Sequence, residues 1–347
     1  MTISYNSGRR IQGTSTDVAP ISGGWKEIAR TTTGSALSTI SVGSIPDKRY
    51  YMVLTNIVGK TSDGVNWQTR MGNGSIDTGS NYSMRYSLNG GSDSASSGSD
   101  SIQAGTNPTD LPQFNVAYIA NLAGKEKLYM SHDVNQETAG AGNAPKRGEY
   151  TGKYFGNLSN ALDTIGATTG SSSYPLNSGS EIVVLGWDPD DTHTTNFWEQ
   201  LATDSGAGST LDTGTITAKK YLWVQCYCKP SSSTGLTANF NSDTSGNYAI
   251  RESINGGTDS TNTSQASTDN LTGSSTGGLF FNMFIINIAG KEKLWISHGQ
   301  ENTAGAGTAG DRKEMVGKWT NTSDAITRIT CNANFGATSE LRVWGSN

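Results

Sequence analysis

Apolar residues along the chain fall in runs of about five to eight positions that either alternate with polar residues or stay apolar, and each run stops at Gly, Asn or Ser. This is the pattern of strands and not of helices. Tyr82 to Leu88 leads into Asn89-Gly90, and Tyr248 to Ile254 into Asn255-Gly256. Both dipeptides tolerate positive φ, so each segment is expected to enter a tight hairpin. From Leu294 to His298, alternation puts Leu294, Ile296 and His298 on one face and Trp295 and Ser297 on the other. Leu128, Met130 and His132 repeat the first set. Leu222, Val224, Cys226 and Cys228 form an apolar row, which leaves Tyr221, Trp223 and Tyr227 on the opposite side. The matching outward positions nearer the N-terminus are Tyr50, Met52 and Leu54.

These correspondences belong to an internal repeat spaced by about 160 to 170 residues. Asn81 to Ser94 recurs as Asn247 to Ser260, and Ala123 to His132 as Ala289 to His298. Arg147, Glu149, Gly152 and Lys153 recur as Arg312, Glu314, Gly317 and Lys318, and Ser180-Glu181-Ile182 as Ser339-Glu340-Leu341. The fold expected is therefore all-β, with two tandem antiparallel β-sandwich (jelly-roll-like) domains. Residues 1–23 form an N-terminal arm, 24–187 the first domain, 188–196 a linker and 197–347 the second domain. The linker sequence, Asp188-Pro189-Asp190-Asp191 onward, suits a solvated connector; a calcium loop would need spaced oxygen ligands that do not follow.

Composition agrees: 43 glycines and 16% charged residues in 347 suit short strands joined by polar turns. The net charge of −5 is mild and the basic residues are scattered, which argues against nucleic acid or a membrane surface as partner. No apolar run is long enough to cross a bilayer, and the start carries no export signal. Three cysteines cannot all pair within the chain; they read as reduced, apolar residues and not as a zinc site, which wants four ligands.

Candidate chemistry is sparse. His132 and His298 lack the further ligands of a metal centre and the partners of a catalytic triad, so they read as half-buried histidines bonded to backbone. Arg147, Glu149 and Lys153, with Arg312, Glu314 and Lys318, fall on one strand face and read as a solvated ladder or as charge complementarity to a neighbour. Tyr150, Tyr154, Met315 and Trp319 take the core side. The outward residues Tyr50, Met52, Leu54, Tyr221, Trp223 and Tyr227 would contact a subunit or a glycan, or be covered by the chain itself. Arg9 and Arg10 are candidate arm contacts. No enzyme signature or cofactor motif occurs.

Phe240 to Tyr248 resembles the FNxDSGxNY segment of tailed-phage virion proteins with jelly-roll-like domains. Trp319 to Ile329 and Asn334 to Gly345 resemble the closing strands of that family. In the first copy Asp77 to Tyr82 fits, but Met71 to Ile76 has no Phe-Asn pair. The resemblance implies a non-enzymatic structural protein displayed on the virion surface, as capsid decoration or tail-fibre component, assembled in the host cytoplasm. Its partners would be other virion proteins and further copies of itself, a trimer first. The alternatives are an adhesin whose loops, Ser92 to Asp110 and Ser260 to Gly278, engage host glycans, and a subunit of a double-barrel capsid lattice.

Overall fold

A computed structural model describes residues 24–62, 64–106, 111–191, 193, 195–302 and 307–347. The arm, with Arg9 and Arg10, lies outside the described residues. Among the described residues every regular element is a strand and every pairing is antiparallel. The first half carries β1 (Lys26–Thr32), β2 (Thr39–Val42), β3 (Tyr50–Ile57), β4 (Gln68–Gly72), β5 (Tyr82–Leu88), β6 (Ser94–Ser99), β7 (Ile102–Gln103), β8 (Gln113–Ala120), β9 (Lys127–Asn135), β10 (Lys146–Tyr154), β11 (Thr164–Thr168) and β12 (Glu181–Trp187). The second carries β13 (Glu199–Ser205), β14 (Gly208–Asp212), β15 (Tyr221–Cys228), β16 (Thr234–Gly235), β17 (Thr237–Phe240), β18 (Tyr248–Ile254), β19 (Ser260–Gln265), β20 (Ser274–Ser275), β21 (Leu279–Ile286), β22 (Lys293–Glu301), β23 (Arg312–Trp319), β24 (Ile329–Phe335) and β25 (Glu340–Ser346).

Each half builds one large sheet, in the orders β1-β12-β3-β8-β9-β10-β5-β6 and β13-β25-β15-β21-β22-β23-β18-β19. The two orders correspond strand for strand. A smaller sheet closes each sandwich, β2-β11-β4-β7 in the first half and β14-β24-β17 in the second. The expected hairpins form as the sequence demands: Asn89 and Gly90 (φ 51° and 67°) and Asn255 and Gly256 (φ 54° and 72°) supply the two left-handed residues of the turn. Register fixes equivalence independently of sequence likeness. Tyr50 pairs with Ala120 and Tyr221 with Ile286, while Ala120 and Ile286 pair in turn with Leu128 and Leu294.

The period of two sorts each strand between two cores. On β3 and β12, Tyr51, Val53, Ile182 and Val184 face the small sheet, and on β15 and β21 Leu222, Val224, Phe281 and Met283 do the same. The other faces of the large sheets meet one another. Met52, Leu54, Phe114, Val116, Val134, Val183 and Leu185 of the first sandwich pack with Phe197, Trp198, Tyr221, Phe284, Ile286, Leu294, Ile296 and Val316 of the second. The molecule is thus four layers deep, small sheet, large sheet, large sheet, small sheet. At about 1.5–3 kcal/mol for each large apolar side chain removed from water, this third core outweighs any surface ion pair in joining the halves.

The connector is less solvated than its acidic sequence suggests. Asp191 pairs with Lys48 and accepts from the Asp188 amide, so its carboxylate is already satisfied, and the turn folds back on the first sandwich. Phe197 then donates its amide to the Trp25 carbonyl and enters the seam beside Tyr221.

Candidate functional site: the seam and the open sheet face

The repeated histidines meet. His132 on β9 and His298 on β22 lie ring to ring, Nε2 of His298 3.3 Å from Nδ1 of His132. Burial pushes the His132 imidazole well below its ordinary value, helped by His298 and Arg147; burial also lowers His298, with Glu314 partly opposing and Arg147 and Arg312 adding to the fall. Both rings are therefore neutral at physiological pH, and one donates to the other. The expectation of a histidine bonded to backbone is corrected: each ring's partner is its own repeat.

The charged ladder also needs correction at its seam end. Arg147 is buried, and its guanidinium meets Asp259 at 2.7 Å and Glu314 at 3.2 Å across the seam, besides Glu149 on its own strand. Lys318 is buried too; it donates to the carbonyls of Gln136 and Thr138 from the other sandwich and lies 3.5 Å from Glu292. Burial lowers its pKa against the pull of Glu292. Lys153 and Arg312 keep the solvated character expected of them. Repetition of these charges marked a contact, but one between the two copies within the chain.

The outward aromatic rows divide the same way. Met52 and Leu54 are fully buried in the seam, as is Tyr221, whose hydroxyl donates to Glu181 at 2.7 Å. Burial alone would raise the Glu181 carboxyl, but bonds from Thr32, Tyr221 and Lys220 more than reverse it. Trp223 is half-buried between Trp198, Phe284 and Trp344. A subunit or glycan contact at Met52, Leu54 or Tyr221 is thereby excluded on steric grounds. Tyr50 and Tyr227 remain exposed.

The exposed pair mark two open faces. Tyr50, Tyr118, Leu128, Met130, Trp25 and Trp187 line an apolar depression of about 650 Å3 on the first sandwich, with Leu128 57% and Met130 52% exposed. Sequence alternation placed Leu128 and Met130 on this face, but nothing local told which half of the repeat would be covered. On the second sandwich Tyr227 and Phe280 border a more polar depression with Gln300, Glu301 and Asn302.

The segment that resembles virion proteins is a turn device. Asp243 accepts from the Ser245 amide, the Asn247 amide group and Trp319 Nε1, at 2.7 to 2.8 Å. Asp77 repeats this with Gly79, Asn81 and the Tyr154 hydroxyl. Burial opposes ionisation of both carboxyls, yet these bonds hold them below the usual range. The motif residues are thus spent on joining a turn to the large sheet. The cysteines are buried and free; burial pushes the Cys228 thiol up to about 11 and Cys226 well above its ordinary value, with Cys331 contributing, so neither is an activated nucleophile. Among the described residues no three His, Cys, Asp or Glu side chains gather as a metal-holding group.

No family model matches the chain, and no curated protein matches it. Among solved structures it is similar to domains LG4-5 of the mouse laminin alpha1 chain, at 9% identity and a TM-score of 0.18, over 96% of this chain and 93% of that one. The tandem β-sandwich is read from the strands and their pairing in this chain.

Proposed function

We propose that the chain is a non-enzymatic structural subunit of a phage particle, displayed on the virion surface as capsid decoration or part of a tail fibre. One observation carries the reading: the repeated polar residues are spent on turns and on fastening two sandwiches into one body, while an apolar sheet face around Leu128 and Met130 is left for a neighbour to cover. The resemblance of Phe240 to Tyr248 and of Trp319 to Gly345 to virion proteins supports it. Partners would be other virion proteins and further copies of the chain, with a trimer as the first stoichiometry. Residues 1–23, through Arg9 and Arg10, would contact the particle. Assembly in the host cytoplasm suits a chain whose cysteines stay reduced.

The test is to label the protein and image purified particles. A fixed stoichiometry at one position on the particle is expected, and deletion of residues 1–23 should lower incorporation while both domains still fold. Protein that never co-sediments with particles would refute the reading.

A second reading, a glycan-binding adhesin, is favoured by the Tyr227 and Phe280 depression, where exposed rings stand beside Gln300, Glu301 and Asn302. A glycan array with the full chain tests it: specific binding lost in Tyr227→Ala would establish it.

A further inference from the structure

The seam is lopsided. Related domains that pack through equivalent strands would make each contact twice if they were symmetric. Here each contact named below is made once. Phe114 packs near Tyr221 as a tilted ring pair, with centroids 6.2 Å apart; the repeat counterparts Phe280 and Tyr50 are 40% and 36% exposed. Arg147 binds Asp259, but its counterpart Arg312 pairs, among the described residues, with Glu314 on its own strand, and Asp93, the counterpart of Asp259, lies 3.7 Å from Arg85. Glu181 receives Lys220 and Tyr221, while Glu340 bonds only to Arg342. Leu294 and Ile296 are buried, and their counterparts Leu128 and Met130 are the most exposed large apolar side chains of the first sandwich. Apart from the His132–His298 pair, which is its own counterpart and is already engaged, each domain therefore leaves bare the half that its partner domain uses.

From this we infer that the open face of the first sandwich is the docking site for the second sandwich of another copy of this chain, joined head to tail by the counterpart contacts. Phe280 would pack against Tyr50, Leu128 and Met130, and Arg312 would reach Asp93 as Arg147 reaches Asp259. The occupant is argued from continuity with the existing seam and from charge: the exposed Arg312 is on one domain and the exposed Asp93 on the other, each with a partner, among the described residues, on its own sheet. The contact is heterologous, so it propagates until a ring closes. The inference rests on the reading as an assembling subunit.

Complementation tests it with the full chain. One variant blocks the first sandwich (Leu128→Asp with Met130→Asp) and another blocks the second (Phe280→Asp); all three positions are exposed, and unchanged thermal melts check folding. Wild type at about 100 µM should sediment as oligomers, and each variant alone should associate about tenfold more weakly or worse. An equimolar mixture of the two should form a one-to-one dimer, because one intact pair of faces remains. Asp93→Arg and Arg312→Asp provide a second pair outside the cores: each alone weakens association and the mixture restores it.

A wild type that stays monomeric overturns the inference. So does a mixture that fails to recover, which would mean that like faces pair or that residues 1–23 cover the patch. A single chain carrying both charge reversals should associate as wild type does, because the pair is restored between copies; one that stays monomeric would equally overturn the inference. Monomeric protein that still binds particles leaves the structural reading standing while the docking site falls.

Discussion

The two sandwiches have one topology and differently made interiors. At equivalent registers the first places Gln113, Asn115, Asp133, Tyr129 and Tyr154 where the second places Leu279, Phe281, Gly299, Trp295 and Trp319. The first core offsets part of its polar burial with bonds: Trp67 Nε1 donates to Gln113, Asn115 to Ser131 and the Ala104 carbonyl, and Asp133 receives the Thr106 amide and hydroxyl, while the Oδ1 atoms of Asn115 and Asp133 have no partner among the described residues. A hydrogen bond contributes a net ~0.5–1.5 kcal/mol, whereas a buried Leu or Phe contributes ~1.5–3 kcal/mol. The second sandwich should therefore be the more stable half. Strand alternation and turn residues set the topology, and the same fold accepts either filling.

The largest loss is expected on removing the ring over the Asp turn. Trp319→Ala takes away packing on Phe240 and Tyr248 and a donor to Asp243; a loss of about 3–5 kcal/mol is expected in chemical denaturation. Tyr154→Ala, whose ring packs on Tyr82, should cost less. Equal or reversed losses would sink the ranking of the two cores.

A smaller effect is expected at the repeated glycines. A Cβ on Gly317 would run into the Trp295 indole, while one on Gly152 would meet the end of Ile102 at 2.7 Å. An indole filling the core cannot retreat, but an isoleucine methyl can. Gly317→Ala should cost about 1–3 kcal/mol and Gly152→Ala clearly less. Near-equal costs would mean that the second core is as yielding as the first.

A third difference is one of pH. Burial pushes the Asp133 carboxyl up to about 8 from an ordinary 3.8, against the pull of its Thr106 bonds. The folded state then holds a proton that the unfolded state has released, so this group's contribution to stability falls as pH rises from about 4 to 8. Asp133→Asn keeps the Thr106 bonds and cannot titrate. Its first-sandwich transition should lose that slope, while the second, with Gly299 at the equivalent position, should be unaffected. A slope that survives the substitution would remove Asp133 as its cause.

How much of this was legible in the sequence follows from what is local. The strands, the Asn-Gly turns and the core side of Tyr150, Tyr154, Met315 and Trp319 follow from alternation and backbone preference. The repeat made Arg147 and His132 conspicuous, but their partners stand on the other copy, and no local rule states that two large sheets will stack. The same alternation that put Leu128 and Met130 outward put Leu294 and Ile296 outward as well. Only the packing of one domain on the other decides which pair is covered.

The last expected effect concerns the seam that both halves share, and it separates coupling from core composition. His132 and His298 are held neutral by burial, with Arg147 and Arg312 adding to the depression and Glu314 and Glu149 the carboxylates nearest the ladder. In the unfolded chain both rings regain the ordinary value of 6.5. Below that pH the unfolded state binds the extra protons, so the stability due to the neutral pair is complete above about pH 7.5 and drains away as pH falls through 6.5. This slope is opposite in sign to that of Asp133 and would be masked by it, so the measurement belongs in the Asp133→Asn background. There, lowering the pH from 8 to 5 should depress the transitions of both sandwiches together, and replacing both histidines by Asn should abolish the drop. A fall confined to one sandwich would show that the histidine pair does not couple them, and that the seam is held by its apolar contacts alone.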